Sequence, residues 1–389
     1  MSNVLSKINE SFLGDAPGWY KKTIISFLAL NPIIYFTALS FDLDAGFIIG
    51  WVLLLQFIFT LIFSIQCYPL QPGGLIALES LFLGLTDPYH VYHEIESNLE
   101  VLLLLIFMVS AIFFMKDLLL VIFTKLLETV KNKMALSLLF MISAAFLSAF
   151  LDALTVTAVL IAVSIGFYNI FSFNRKQKLI TADEFENGKL FLRDLVMHGA
   201  IGTALGGVCT IVGEPQNLLI ATKADWTFYE FFIKMAPITM PVLLAGLVTC
   251  LFVERFKLVG YGVILSDKLR NKIIEDAHRK DQARTDAEKL HLVFEGILGV
   301  CLIVALGLHV APVGIIGLFL LVALTASKGI ISEHKLGKAF EEPLPFTGLL
   351  VIFFVIVAVI NDQNLFTPVI LAVLNAATEI QAPLFYIAN

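Results

Sequence analysis

One carboxylate, Asp152, interrupts an otherwise uncharged stretch running from residue 135 to residue 173. An ionised Asp in hydrocarbon costs several kcal/mol, so such a group pairs, faces a wet cavity or exchanges protons. Its neighbours Ser148, Thr155 and Thr157 carry oxygens that suit a hard cation. On one continuous helix Ser148, Asp152 and Thr155 would share a face. In a re-entrant hairpin the same residues would sit at the tip, beside free backbone carbonyls. The competing reading is a buried polar knot that ties helices together by hydrogen bonds. An Asp demands more than a Ser or Thr does, and the combination points to ion-coupled transport.

A second constellation runs from Gly206 to Asn217, with the sequence GGVCTIVGEPQN. Glycines, Pro215 and several polar side chains break an apolar run there, so a helix is predicted to unwind. Unwound backbone at membrane depth persists only against protein or water. Gly206, Thr210, Gly213, Glu214 and Asn217 would then place carbonyls, N–H dipoles and a carboxylate within reach of an ion. A loop at the membrane surface is the alternative. Among other polar residues, Glu79 follows a Gly-Gly pair and could line a pathway or hold a scaffold contact. His198 could tune proton affinity near neutral pH, or pack as a hydrogen-bonded imidazole. Glu100 is read as complementing the N-terminal dipole of its own helix.

These residues need spans to hold them. Of the 389 residues 58% are hydrophobic and 15% charged, against roughly half and a quarter in soluble domains. Apolar runs suit helices across a core of roughly 30 Å; a membrane β-barrel would show short alternating segments instead. Spans are predicted over 23–41, 45–65, 101–115, 118–130, 135–150, 154–173, 195–212, 231–252, 292–310, 314–326, 345–360 and 366–377. Residues 72–85, with Gly73-Gly74 and Glu79, read as re-entrant or broken. Residues 1–22 read as an interfacial segment, with Trp19 and Tyr20 at headgroup level and Lys21 and Lys22 on lipid phosphates.

The stretch 254–291 holds nine Lys/Arg among mixed acids and is read as a polar, solvated cytoplasmic linker. It separates a first membrane repeat, 23–253, from a partial second one, 292–389. Residues 104–119 and 351–366 resemble each other at an offset of 247, a pattern of inverted-repeat transporters. Four scattered cysteines imply neither disulfides nor a metal site, and a net charge of −6 gives no sign of nucleic-acid binding. An intramembrane aspartyl hydrolase would need two cooperating carboxylates; Asp152 has at most Glu214, and no GxSxG or HExxH occurs. No enzyme is therefore expected.

At the two motifs the chain resembles the ion transporter superfamily of sodium-coupled carboxylate carriers and arsenite permeases, through Gly206-Gly207, Thr210, Gly213, Pro215 and Asn217. The stretches CYPLQPGGL at 67–75, NLEVLLLL at 98–105, AFLSAFLDALT at 145–155 and LPFT at 344–347 resemble the NhaB-type sodium/proton antiporters in particular. That resemblance covers all 389 positions. It implies an all-α polytopic inverted-repeat fold with a hairpin and a broken helix, Na⁺/H⁺ exchange by alternating access, and the bacterial inner membrane. It also implies a homodimer, and no cofactor beyond the transported ions. Asp152, with Ser148 and Thr155, would hold Na⁺ and share its carboxylate with H⁺. Glu214 stands where carboxylate carriers have a neutral residue, which favours a cation over a dicarboxylate or arsenite as cargo. Family members continue with a second hairpin and a second unwound helix. The chain is therefore expected to be a shortened version with an incomplete second repeat, and a non-transporting remnant is a further reading.

Overall fold

The computed structural model describes residues 11–151 and 153–379, and among them the regular structure is helical, with no strand. In chain order the helices are α1 (Gly18–Ser40), α2 (Ala45–Ile62), α3 (Leu70–Phe82), α4 (Pro88–Ser97), α5 (Leu99–Leu103) and α6 (Ser110–Phe113). There follow α7 (Lys116–Thr129), α8 (Lys133–Phe150), α9 (Ala153–Lys176), α10 (Ala182–Gly207), α11 (Pro215–Ala224) and α12 (Phe228–Phe256). The last are α13 (Asp267–Ala283), α14 (Asp286–Gly307), α15 (Val313–Ser327), α16 (Glu333–Glu341), α17 (Pro343–Asp362) and α18 (Thr367–Glu379). Among the described residues seven helices are long and apolar enough to cross a bilayer, or eight if the pair bent by 64° between Ser97 and Leu99 forms one span. The chain is a polytopic all-α membrane protein.

The backbone divides into two compact units, Met1–Leu99 with Pro345–Asn389, and Glu100–Leu344. This spatial division differs from the linear partition at 254–291. In the first unit Leu349, Ile356 and Val359 of α17 join Ile49, Leu53 and Phe57 of α2 and Ile76 of α3 in one apolar cluster. Burial of those faces joins segments far apart in sequence. Gly73-Gly74 does not break α3. A Cβ at Gly73 would meet the Phe57 ring at 2.8 Å and one at Gly74 would meet Ile352 at 3.1 Å, so these glycines admit neighbours within a regular helix. Glu79 accepts a hydrogen bond from Asn31 at 2.6 Å, and Asn31 and Gln56 exchange amide bonds of 2.9 and 2.7 Å. Its scaffold reading fits.

Helix α1 begins at Gly18, inside the segment read as interfacial, and Tyr20 and Lys21 are buried against protein. The reason is aromatic: Tyr20 stacks on Phe59 at 5.8 Å and Trp19 meets Phe63 edge-on at 5.3 Å, which fixes the first turn of α1 against α2.

In the second unit, α8 and α10 lie along each other. Gly202 and Gly206 present bare Cα atoms to the carbonyls of Met141 and Ala145, the close approach that small residues permit between membrane helices. Between α5 and α6, residues Leu104–Val109 form π-helical turns. They pack on Gly317 of α15, where a Cβ would meet the Met108 nitrogen at 2.7 Å. Glu100 lies in the first turn of its own helix as expected, and its carboxylate also accepts the Val313 N–H at 3.0 Å and so caps α15, satisfying an orphan donor.

The charged stretch is not a plain linker. Glu254 lies inside α12, residues from Asp286 on belong to α14, and α13 between them buries Leu269, Arg270 and Ile273. Arg270 donates to the carbonyls of Leu127, Val130 and Lys131 at 3.3, 2.9 and 3.4 Å, closing the C-terminal end of α7. Burial lowers the guanidinium pKa, yet an arginine stays charged at physiological pH.

Candidate ion-binding site

Helix α8 stops at Phe150. Leu151 leaves the helical region at φ −119°, ψ 158°, and its N–H donates to the Leu147 carbonyl at 2.7 Å. Helix α9 resumes at Ala153. Ser148 and Thr155 therefore lie on two helices flanking a break, not on one continuous face. Asp152 itself lies outside the described residues.

The second interruption, predicted from the glycines and Pro215, separates α10 from α11 over 208–214. Pro215 occupies the first turn of α11, where its missing N–H costs nothing. Asn217 donates from its amide to the carbonyls of Gly207 at 2.9 Å and Thr210 at 2.7 Å, which pins the loop from inside.

The two breaks are joined. Thr210 donates its hydroxyl to the Ala149 carbonyl, and Ser148 donates to the Thr203 carbonyl at 2.8 Å. Thr203 donates to Ala200 at 2.8 Å, so Thr157, 3.1 Å away, donates to Thr203. Gly213 passes so close to Gly207 and to the Ser148 carbonyl, 2.6 Å from where its Cβ would stand, that a side chain has no room. Above Gly207, a Cβ would meet the Ser148 hydroxyl at 3.0 Å and the Glu214 carboxylate at 3.1 Å. Ser148, Thr155, Thr203, Thr210 and Asn217 are buried, and Glu214 is half-buried. The place thus gathers hydroxyls, freed carbonyls and a carboxylate. The C-termini of α8 and α10 supply negative ends of dipoles, and Glu214 precedes the positive end of α11.

Gly206 gives a test of this crossing. A Cβ there would collide with the Ala145 main chain, whereas one at Gly166 of α9 meets nothing within 4 Å. Gly206→Ala is expected to destabilise by about 2–3 kcal/mol, whereas Gly166→Ala, inside a helix with room for the methyl, is expected to stabilise by up to about 1 kcal/mol. Thermal unfolding of the detergent-solubilised variants, followed by size exclusion, reads the difference; equal losses would show that α8 and α10 do not approach this closely.

The family model of bacterial Na⁺/H⁺ antiporter B (NhaB) matches residues 1–389. The chain belongs to the NhaB family. A protein of Teredinibacter turnerae named Na(+)/H(+) antiporter NhaB is 51% identical over 404 residues, covering 100% of this chain and 79% of its own. A namesake from Shewanella denitrificans is 51% identical, with 100% and 75% covered. One from Vibrio cholerae is 50% identical, with 98% and 74% covered.

Two sequence candidates fall elsewhere in this NhaB chain. Glu79 belongs to the Asn31–Gln56 cluster of the first unit. His198 is buried on α10 below the break and meets Glu254, its Nε2 3.0 Å from Oε1. That contact opens onto a network the sequence did not disclose. Glu254 Oε1 also accepts from Ser137 at 2.7 Å and lies 3.1 Å from the Lys133 ammonium, which is 3.7 Å from Asp194. Arg193 donates to Asp194 at 2.7 Å. Tyr261 lies over His198, ring centroids 5.0 Å apart; burial first, and the Asp194 charge next, push its phenol pKa up, so it stays neutral. Lys133 reads in sequence as a topology signal and Glu254 as the edge of a linker, since a pairing across α8, α10 and α12 leaves no periodicity.

Proposed function

We propose that this chain exchanges Na⁺ for H⁺ across the bacterial inner membrane by alternating access. Family membership supports the exchange, and the relatives' names state it of those proteins. The observation that carries the reading is the crossing of two helix interruptions, tied by Thr210 and the Ala149 carbonyl. Broken helices in contact give an ion neutral oxygens without disturbing hydrogen-bonded backbone elsewhere.

In this reading Asp152 binds Na⁺ when ionised and H⁺ when neutral, so the two ions compete for one group. Ser148, Thr155, Thr157 and Thr210 supply hydroxyl oxygens, Gly206 and Gly213 let the backbones close, and Asn217 holds the loop. Glu214 adds a second negative charge beside Ser148, which disfavours a dicarboxylate. The chain acts as a carrier rather than an enzyme, and needs no cofactor beyond its ions. A homodimer is the assembly we attach to it, on the superfamily resemblance.

The test is purified protein in liposomes carrying an internal pH dye. An inward Na⁺ gradient should drive proton efflux, while labelled succinate should not accumulate and arsenite should not cross. Succinate or arsenite movement without Na⁺-driven proton flux would replace the cation reading with the anion one.

A further inference from the structure

The Lys133–Asp194–His198–Glu254 network lies away from the helix breaks. Lys133 is at the start of α8, roughly 22 Å along it from Ser148, and His198 is about 12 Å along α10 from Gly206. The groups are buried, Asp194 and Glu254 with fully covered side chains. Among the described residues, the charged and polar groups around the imidazole come from α8, α10, α12 and the segment after it. Helix α8 supplies Lys133 and Ser137, α10 supplies Arg193 and Asp194, α12 supplies Glu254 and the buried Cys250 one turn before it, and Tyr261 covers the ring. Toward α9 the neighbouring Gly199 meets Leu160, which is apolar.

With a neutral imidazole the fixed charges balance: Lys133 and Arg193 against Asp194 and Glu254. Two buried acceptors, Glu254 Oε2 and Asp194 Oδ2, lack hydrogen bonds among the described residues, as does the Lys133 ammonium beside them. Such acceptors are costly to leave bare, and they stand ready to stabilise one more positive charge. The His198–Glu254 contact already requires a proton on Nε2, so a second proton would enter at Nδ1. It would turn a hydrogen bond from a neutral imidazole to an ionised carboxylate into an ion pair with a charge on each side.

We propose that the His198–Glu254 pair is a second proton-binding site, off the ion path, whose occupancy sets the pH dependence of exchange by fastening α10 to α12. Helices α8 and α10, which carry the two halves of the ion site, both contribute to this network, α8 through its first turn and α10 through its middle. Strengthening one bond within it resists relative motion of the helices that must move. Acidification therefore slows exchange, and the proton acts on the helices rather than on the cargo. The proposal rests on the exchange reading above.

The experiment measures Na⁺-driven proton flux against pH in proteoliposomes for wild type and His198→Gln, which keeps a donor but takes no second proton. The acid limb of the variant should shift downward by about one pH unit, the ordinary spread of imidazole pKa values. The alkaline maximum and the apparent Na⁺ affinity there should stay within about twofold. A superimposable profile overturns the proposal, as does a uniform loss of rate without displacement of the limb, the mark of a purely structural histidine. Absence of flux in wild type would instead sink the exchange reading. If His198→Gln does not accumulate, NMR of histidine-labelled wild type decides: the His198 ring must titrate between about pH 5 and 8, and a silent ring overturns the proposal.

Discussion

Asp152→Asn is expected to lower Na⁺-driven proton exchange by at least about 100-fold, or about 2.7 kcal/mol, with folded yield close to wild type. Asparagine keeps the size and one carbonyl oxygen, but it neither ionises nor releases a proton near neutral pH. The hydroxyls of Ser148 and Thr210 and the freed carbonyls around them would remain. They carry partial charges only, and none of them can release a proton in exchange for Na⁺ near neutral pH. The assay is Na⁺-induced dequenching of a pH dye in everted vesicles, at matched protein levels. Exchange at the wild-type rate in the variant would remove Asp152 from the mechanism and shift attention to Glu214.

The second large effect concerns stability. Lys133→Met should cost about 3–5 kcal/mol, because it leaves Glu254 and Asp194 facing each other in a buried space without the ammonium between them. The side chain is only 7% exposed, and it approaches Glu254 to 3.1 Å. Methionine nearly matches its volume, so packing loss cannot account for a drop of that size. The double variant Lys133→Met, Glu254→Leu should recover much of it, since removing both members of a buried pair is often close to neutral. Thermal unfolding in detergent reads both proteins. A single variant as stable as wild type would mean that water reaches this network and screens it.

Much of the architecture was readable from residue order. Uncharged stretches marked the seven long apolar helices among the described residues. Of the twelve predicted spans, those at 118–130, 195–212, 314–326 and 366–377 fall on helices too short or too polar to cross a bilayer by length and composition. The glycines with Pro215 marked the gap between α10 and α11. These are local signals, set by hydrophobicity over one helix or by residues that cannot continue one. Around Asp152 the sequence left a continuous helix and a hairpin both open, and the stop of α8 at Phe150 excludes the first. Of the two readings of residues 72–85, re-entrant or broken, the break fails at Gly73-Gly74 for a physical reason. The feature that permits a kink also permits close packing, and the Phe57 ring chose the second. Tyr20 carries no local sign of its stack on Phe59, because an aromatic that suits a headgroup boundary also suits such a stack. The ionic network was illegible because Lys133 and Glu254 stand at helix ends, where charge usually meets solvent. Only the tertiary fold turns those ends inward. Glu100 was placed correctly at a helix start, but its partner Val313 belongs to α15, and nothing local points there.

The grip of Arg270 on three main-chain oxygens of α7 and its exit bears on how this polypeptide can be engineered. By hydrophilicity, residues 267–283 invite a reporter, a protease site or a Gly/Ser replacement. Any of these would withdraw the guanidinium and leave Leu127, Val130 and Lys131 with bare acceptors beside the entrance to α8. A segment that looks like packaging is bolted to the frame, and splicing belongs elsewhere.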